Sequence, residues 1–196
     1  MKLDPQTLAV YNSQAGDYAD MVSAAPDVML ERFVELLPEK SEVLDIGCGP
    51  ATATARMIEL GHRVKALDPS MEMAAEAKKR FNVDVTIGGF EDVHETDYFD
   101  AIWASFSLLH APREDMPGHL AAFRRALKPK GLLAIGLKSG KGSHRDKIGR
   151  LYTYYEPEEL SDLLDVAGFS VIGIDTGEGT GLDGSIAPWF HIRAHA

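Results

Sequence analysis

The chain has 196 residues, 45% of them hydrophobic, which suffices for one α/β domain with core layers on both faces of a sheet. Thirty acidic against 20 basic side chains give a formal charge of −10; a broad nucleic-acid footprint or an anionic-membrane surface is disfavoured, and a small-molecule partner is expected. No run approaches the roughly 18 apolar residues of a membrane span, Met1–Pro5 lacks a signal peptide's apolar core, and the single Cys48 excludes an intrachain disulfide, so a cytoplasmic monomer or homodimer is expected.

Leu8, Tyr11, Ala15, Tyr18 and Val22 recur at steps of three and four, predicting one helix over residues 5–22 with both tyrosines facing inward. Asp27 is a predicted N-cap for a second helix that carries Leu30, Phe33, Val34 and Leu37 and stops at Pro38. Val43, Leu44 and Ile46 then read as a buried strand, Gly47 and Gly49 as a turn too tight for side chains, and residues 51–60 as a helix. Such a strand, turn and helix gather unpaired backbone N–H groups and the positive end of a helix dipole, which suits a polar or anionic part of a nucleotide-like ligand. Cys48 has no basic sequence neighbour to lower its pKa and reads as a small packed side chain rather than a nucleophile.

The next predicted strand, residues 63–67, runs into Asp68, 21 positions past Gly47, where a carboxylate can accept hydrogen bonds from both hydroxyls of a ribose. The dinucleotide fingerprint needs a third glycine where this chain has Thr52, which weakens the alternative of a nicotinamide-dependent oxidoreductase. Asp45-Ile46-Gly47-Cys48-Gly49, followed at this distance by Asp68, resembles the glycine-rich motif of class I S-adenosylmethionine (SAM)-dependent methyltransferases, and Gly149-Arg150, Thr153-Tyr154-Tyr155 and Gly168-Phe169 look like a bacterial subgroup of these small-molecule enzymes. The resemblance implies SAM as cofactor and S-adenosylhomocysteine (SAH) as product. It places Asp45, Gly47, Cys48 and Gly49 around the methionine part, Asp68 on the ribose, and Met71 and Phe90 beside the adenine. It also implies that the N-terminal helix folds over the cofactor with Tyr11 or Tyr18 near its methionine end, the alternative being ordinary packing. Because binding residues alone do not establish turnover, a non-catalytic SAM-binding protein is a further alternative.

From residue 42 the chain alternates strand and helix, with strands near 42–46, 63–67, 83–87, 99–104 and 131–137, so a Rossmann-like, doubly wound α/β sheet is expected. Ser70, after Asp68-Pro69, can cap the helix that runs through Met71, Ala74, Ala75 and Lys78 beside the expected ribose site. Gly88-Gly89-Phe90-Glu91-Asp92 stands where the resembling families often carry Gly-Asp-Ala-Glu-Asp around the adenine. Gly89 departs from the acidic residue, and Phe90 is either a ring contact or core filler. The segment after the fourth strand borders the same crevice as Gly47, making Ser105 and Phe106 candidates for the methionine part. His110 resembles the histidine often present here, which implies a substrate-facing hydrogen-bond partner or general base, the alternative being a histidine that satisfies a loop carbonyl. For an alcohol or phenol acceptor, His110 or Tyr11 could act as base; a carboxylate or deprotonated amine would need none.

Between Lys138 and Arg150 the chain carries Lys138, Lys141, Arg145, Lys147 and Arg150 against Asp146 alone. This basic segment leaves the carboxyl end of a strand, so it could be a lid on which Lys138, Arg145 or Arg150, with Tyr154 nearby, binds an anionic substrate group; the alternative is a solvated loop. A helix follows over 157–167, closed by Gly168, then a strand at 169–174, a Gly-rich connection from Thr176 to Gly184, and a last strand near 189–194. The resemblance implies that this strand inserts antiparallel, giving seven strands in the order 3-2-1-4-5-7-6. His191 and His195 read as exposed tail residues, roughly 13 Å apart and too far to share a metal ion. Neither a Gly-x-Ser-x-Gly elbow nor a phosphate-binding P-loop occurs. The expected organisation is one domain: cofactor-covering helices over 1–40, a SAM-binding core over 41–137, and a basic lid with the substrate-side half over 138–196.

Overall fold

The computed structural model describes residues 4–23 and 27–196; Met1–Leu3 and Pro26, which entered the sequence reading, lie outside them. The N-terminal pattern forms two helices, α1 (Pro5–Ser13) and α2 (Ala15–Val22), instead of the single expected one. Asp4 caps α1 by accepting from the Thr7 N–H at 2.8 Å, and the chain breaks helical geometry at Gln14. α3 (Val28–Val34) starts where expected, with Asp27 accepting from the N–H groups of Met29 and Leu30 at 2.9 and 3.1 Å, and ends before Leu37.

β1 (Glu42–Ile46), α4 (Thr52–Glu59), β2 (Arg63–Asp68), α5 (Met71–Phe81), β3 (Thr86–Ile87), β4 (Phe99–Ser105), α6 (Met116–Ala126) and β5 (Leu127–Lys138) follow in alternation. The basic segment folds into a hairpin of β6 (Ser143–Arg145) and β7 (Leu151–Thr153), and α7 (Pro157–Val166), β8 (Ser170–Thr180) and β9 (Ile186–His195) complete the chain. The seven-stranded sheet has the order β3-β2-β1-β4-β5-β9-β8, with β9 antiparallel to both neighbours, which is the expected 3-2-1-4-5-7-6 arrangement.

Three expectations are corrected here. β3 is two residues long rather than five. The Gly-rich stretch is mostly strand: β8 continues to Thr180 and the turn is confined to residues 181–185, where the Asp183 carboxylate accepts from the Ser185 N–H and hydroxyl at 3.1 and 2.6 Å. His191 is no exposed tail residue but buried, its ring 4.8 Å from that of Trp103, because β9 lies between β5 and β8 and not at an edge; His195 is exposed.

Each face of the sheet buries its own core. Ile46, Ile102, Leu133, Ile135 and Leu137 pack with Leu120, Phe123 and Leu164 of α6 and α7. On the other face Val43, Trp103 and Ala134 meet Leu30 and Phe33 of α3. Two buried faces leave only the rims for polar work, so ligands are confined to the carboxyl ends of the strands, beside the β1 and β4 switch point.

Candidate active site

The turn after β1 is shaped by close approach. Gly47 has φ +68°, and a Cβ there would lie 2.2 Å from Cβ of Ser107, so only glycine fits. The N–H groups of Gly47 and Cys48 both donate to the Leu67 carbonyl, at 2.8 and 3.0 Å, and that of Gly49 to Oδ2 of Asp68 at 2.8 Å. The expectation of unpaired N–H donors at this turn is therefore corrected: the end of β2 uses them to fix the turn. Asp68 also accepts from the Ser70 N–H at 2.8 Å, while the Ser70 hydroxyl caps α5 and donates to Oδ1 of Asn12 in α1 at 2.7 Å.

Two cavities, of about 550 and 570 Å³, meet at Gly47, Gly49, Tyr18 and Phe106. The first runs past Asp68, Pro69 and Ser70 to the loop of Gly88–Asp92, and its wall includes Phe90, Glu91, Tyr11 and His110. The second is lined by Asp45, Cys48, Trp103 and Ser105. Two buried carboxylates thus stand on either side of one glycine turn. Burial pushes Asp45 up to about 7, against a Thr54 hydroxyl that donates to it at 2.6 Å, and pushes Asp68 up to about 6, against its two backbone donors. Cys48 is likewise raised well above the usual thiol range by burial, which removes it as a thiolate nucleophile.

Tyr11, His110 and Arg150 form one chain of hydrogen bonds. Nδ1 of His110 is 2.7 Å from the Leu151 carbonyl, which can only accept, so Nδ1 carries the proton. Nε2 then accepts from the Tyr11 hydroxyl at 2.8 Å, and Nη1 of Arg150 donates to that hydroxyl oxygen at 3.0 Å. Burial lowers His110 to about 4 and raises Tyr11 well above the usual phenol range. Both imidazole nitrogens are engaged and the ring is neutral, so His110 holds Tyr11 in place and is a weak base. The loop carbonyl and the tyrosine are each satisfied by the same ring.

Several expected site residues sit elsewhere. Met71 is 69% exposed and lies outside both cavities; Met73, two residues on and pointing inward, lines the first. Arg145 forms a bidentate pair with Asp4, at 2.9 Å to each oxygen, and Arg150, although buried, pairs with Asp146 at 2.8 Å. Tyr154 stacks on His144 with ring centroids 4.3 Å apart and lines neither cavity. Lys138 lies 4.3 Å over the ring of Tyr152. Sequence alone did not point to Ser107, which lines the first cavity and whose buried hydroxyl has no hydrogen-bond partner among the described residues. It follows Phe106, whose φ of +53° in a non-glycine residue has no sequence signature. His119, which packs on Phe90 at 5.0 Å, was missed as well. Among the described residues no group of His, Cys, Asp or Glu is placed to hold a metal ion, and no helix is long and apolar enough to cross a membrane.

Residues 43–131 match a family described as a methyltransferase domain. An uncharacterized methyltransferase of Staphylococcus carnosus is 29% identical over 84% of this chain and 77% of its own length. A ubiquinone biosynthesis O-methyltransferase of Xanthomonas oryzae pv. oryzae is 33% identical over 48% of this chain, which spans less than half (42%) of that protein. The 1,6-didemethyltoxoflavin-N1-methyltransferase of Burkholderia thailandensis, solved with 1,6-didemethyltoxoflavin and SAH bound, superposes with a TM-score of 0.74 at 22% identity, over 97% of this chain and 87% of its own. With this strand order, this domain match and these structural neighbours, the chain has the class I SAM-dependent methyltransferase fold.

Proposed function

We propose that this protein transfers a methyl group from SAM to a small molecule in the crevice at the carboxyl ends of β1 and β4. The observation that carries this reading is the pair of buried carboxylates, Asp45 and Asp68, flanking the Gly47–Gly49 turn where the two cavities meet. Asp68, held by two backbone donors, keeps lone pairs for the ribose hydroxyls, and the loop from Gly88 to Asp92, with Phe90 and Met73, encloses the adenine. The methionine part takes the second cavity, where Asp45 faces its ammonium and Cys48 and Ser105 supply close walls. An anion beside a cationic ligand in a buried site is worth more than in water, so the desolvated carboxylates fit a ligand that is cationic overall.

Bound SAM would supply a methyl carbon already activated by its sulfonium. The protein's work is then alignment and exclusion of water. α1 covers the first cavity with Pro5, Leu8 and Tyr11, and its place there is fixed by Asn12, Tyr11 and Asp4. Because His110 is neutral and fully engaged, the site favours an acceptor that arrives deprotonated. The net charge of −10 supports a small acceptor over nucleic acid.

Calorimetric titration with SAM, SAH and NADH, followed by a methyl-transfer screen read by mass spectrometry, tests the proposal. SAM and SAH should bind and NADH should not. Binding of NADH in place of SAM would overturn the cofactor assignment, and SAM binding without turnover on any acceptor would leave a binding protein only.

A further inference from the structure

A second group of side chains, Trp189, Lys138 and Tyr152, lines neither cavity but meets the crevice wall at Phe106 and His110. Phe106, which lines both cavities, meets the indole of Trp189 edge-on with centroids 6.2 Å apart. Trp189 on β9 pairs across the sheet with Lys138 on β5, whose ammonium sits 4.3 Å above the centre of the Tyr152 ring. Tyr152 packs in turn on His110 at 4.6 Å, and His110 lines the first cavity. The row begins and ends at the cavity wall, forming an aromatic rim with one ammonium in it.

The rim has a built side and an ammonium with no contact ion pair. The Trp189 indole lies against β8 where a Cβ at Gly177 would come within 2.5 Å of it, so the bare backbone of that strand makes room for the ring, which stays half-exposed. Lys138 is half-buried, and among the described residues its ammonium has no carboxylate within 4.0 Å. Asp183, in the β8–β9 turn, accepts from the Ser185 N–H and hydroxyl through one oxygen and favours the charged ammonium from beyond contact distance. Arg150, also over the Tyr152 ring at 5.2 Å, is matched by Asp146. A half-buried ammonium with no carboxylate in contact gains from a ligand that brings an anion to it. Aromatic walls alone would accept either a cation or a flat ring; two cations over Tyr152 exclude the first.

We infer that Phe106, Trp189 and Lys138, the last seated on Tyr152, form the acceptor subsite, and that it takes a planar aromatic or heteroaromatic acid whose carboxylate or ionised hydroxyl pairs with Lys138. This deepens the methyl-transfer reading and rests on it. With an ionised hydroxyl, the oxygen lone pair forms the bond to the methyl carbon as the carbon–sulfur bond breaks. The bonding pair stays on sulfur, and the acceptor's proton has already gone to solvent. No protein base is required, in keeping with a His110 that has neither nitrogen free.

The test is calorimetry on the SAH-saturated protein, with 2-hydroxybenzoate and 3-hydroxy-2-naphthoate, their neutral amides, and cyclohexanecarboxylate as probes. The aromatic acids should bind at least about tenfold more tightly than the amides or the saturated acid. Lys138→Met should abolish that advantage with SAH affinity unchanged, and Lys138→Arg should restore part of it. Trp189→Leu should reduce the advantage of aromatic over saturated acid while keeping that of acid over amide. Equal affinities, absence of binding by both aromatic acids, or an undiminished preference in Lys138→Met would overturn the inference. Failure of the wild-type protein to bind SAH would instead remove the methyl-transfer reading beneath it.

Discussion

Asp45 and Asp68 are ionisable groups kept from water in the ligand-free protein. Their folded values of about 7 and about 6 lie above the ordinary 3.8, chiefly through burial, so between about pH 4 and pH 7 the folded protein holds protons that the unfolded chain has released. The stability they contribute is complete at acid pH and is lost as pH rises through those folded values, at about 1.4 kcal/mol for each tenfold difference in proton affinity. Urea denaturation of the ligand-free protein between pH 5 and 8 should show this decline, and Asp45→Asn should flatten it; an unchanged profile in that variant would contradict the assignment. Gly47→Ala places a methyl 2.2 Å from the Ser107 Cβ at a positive φ, so a loss of at least about 2 kcal/mol is expected, measured by the same denaturation.

Among the elements, α1 and the β6–β7 hairpin form a clasp. Thr7 is buried, its hydroxyl donating to Asp4 at 2.8 Å and accepting from the Leu151 N–H at 2.8 Å, while Arg145 holds Asp4 and Arg150 holds Tyr11. Thr7→Val leaves the Leu151 N–H without its partner, at roughly 1–3 kcal/mol. The result should be faster amide exchange in α1 and β7 with little change in β4 and β5, and weaker SAH binding. Uniform acceleration across the sheet would mean that the clasp is not a separable unit. Arg145→Ala removes a more exposed, solvent-screened pair and should act in the same direction more weakly. The hairpin itself shows why the basic segment was ambiguous in the sequence: its charges suggested substrate contact, yet two of the three arginine and lysine candidates are neutralised, Arg145 by Asp4 from outside the segment and Arg150 by Asp146, which composition could not assign to one cation.

For the molecule as a whole, the charge of −10 acts on a ligand that is cationic as SAM and neutral overall as SAH. Raising salt from a dilute buffer to about 1 M, where screening acts within about 3 Å, should weaken SAM binding more than SAH binding in calorimetry. Equal salt dependence of the two would show that the field of the protein does not reach the crevice.

Strand and helix periods, the Asp45–Gly49 turn and the position of Asp68 are local patterns, and they determined the alternating α/β architecture and the place of the crevice before any contact was known. The order and sense of the strands followed from the resemblance those residues carry. Long-range packing decided the rest. β8 runs through its glycines because the Trp189 indole needs a bare strand, where propensity alone suggested a loop. His191 is interior because β9 has a neighbour on each side. Met73 faces the cavity and Met71 the solvent because the start of α5 is set by Ser70. Whether a charged side chain is free depends on a partner supplied by another element, and that is why Lys138 stood apart from Arg145 and Arg150 only once the chain was folded.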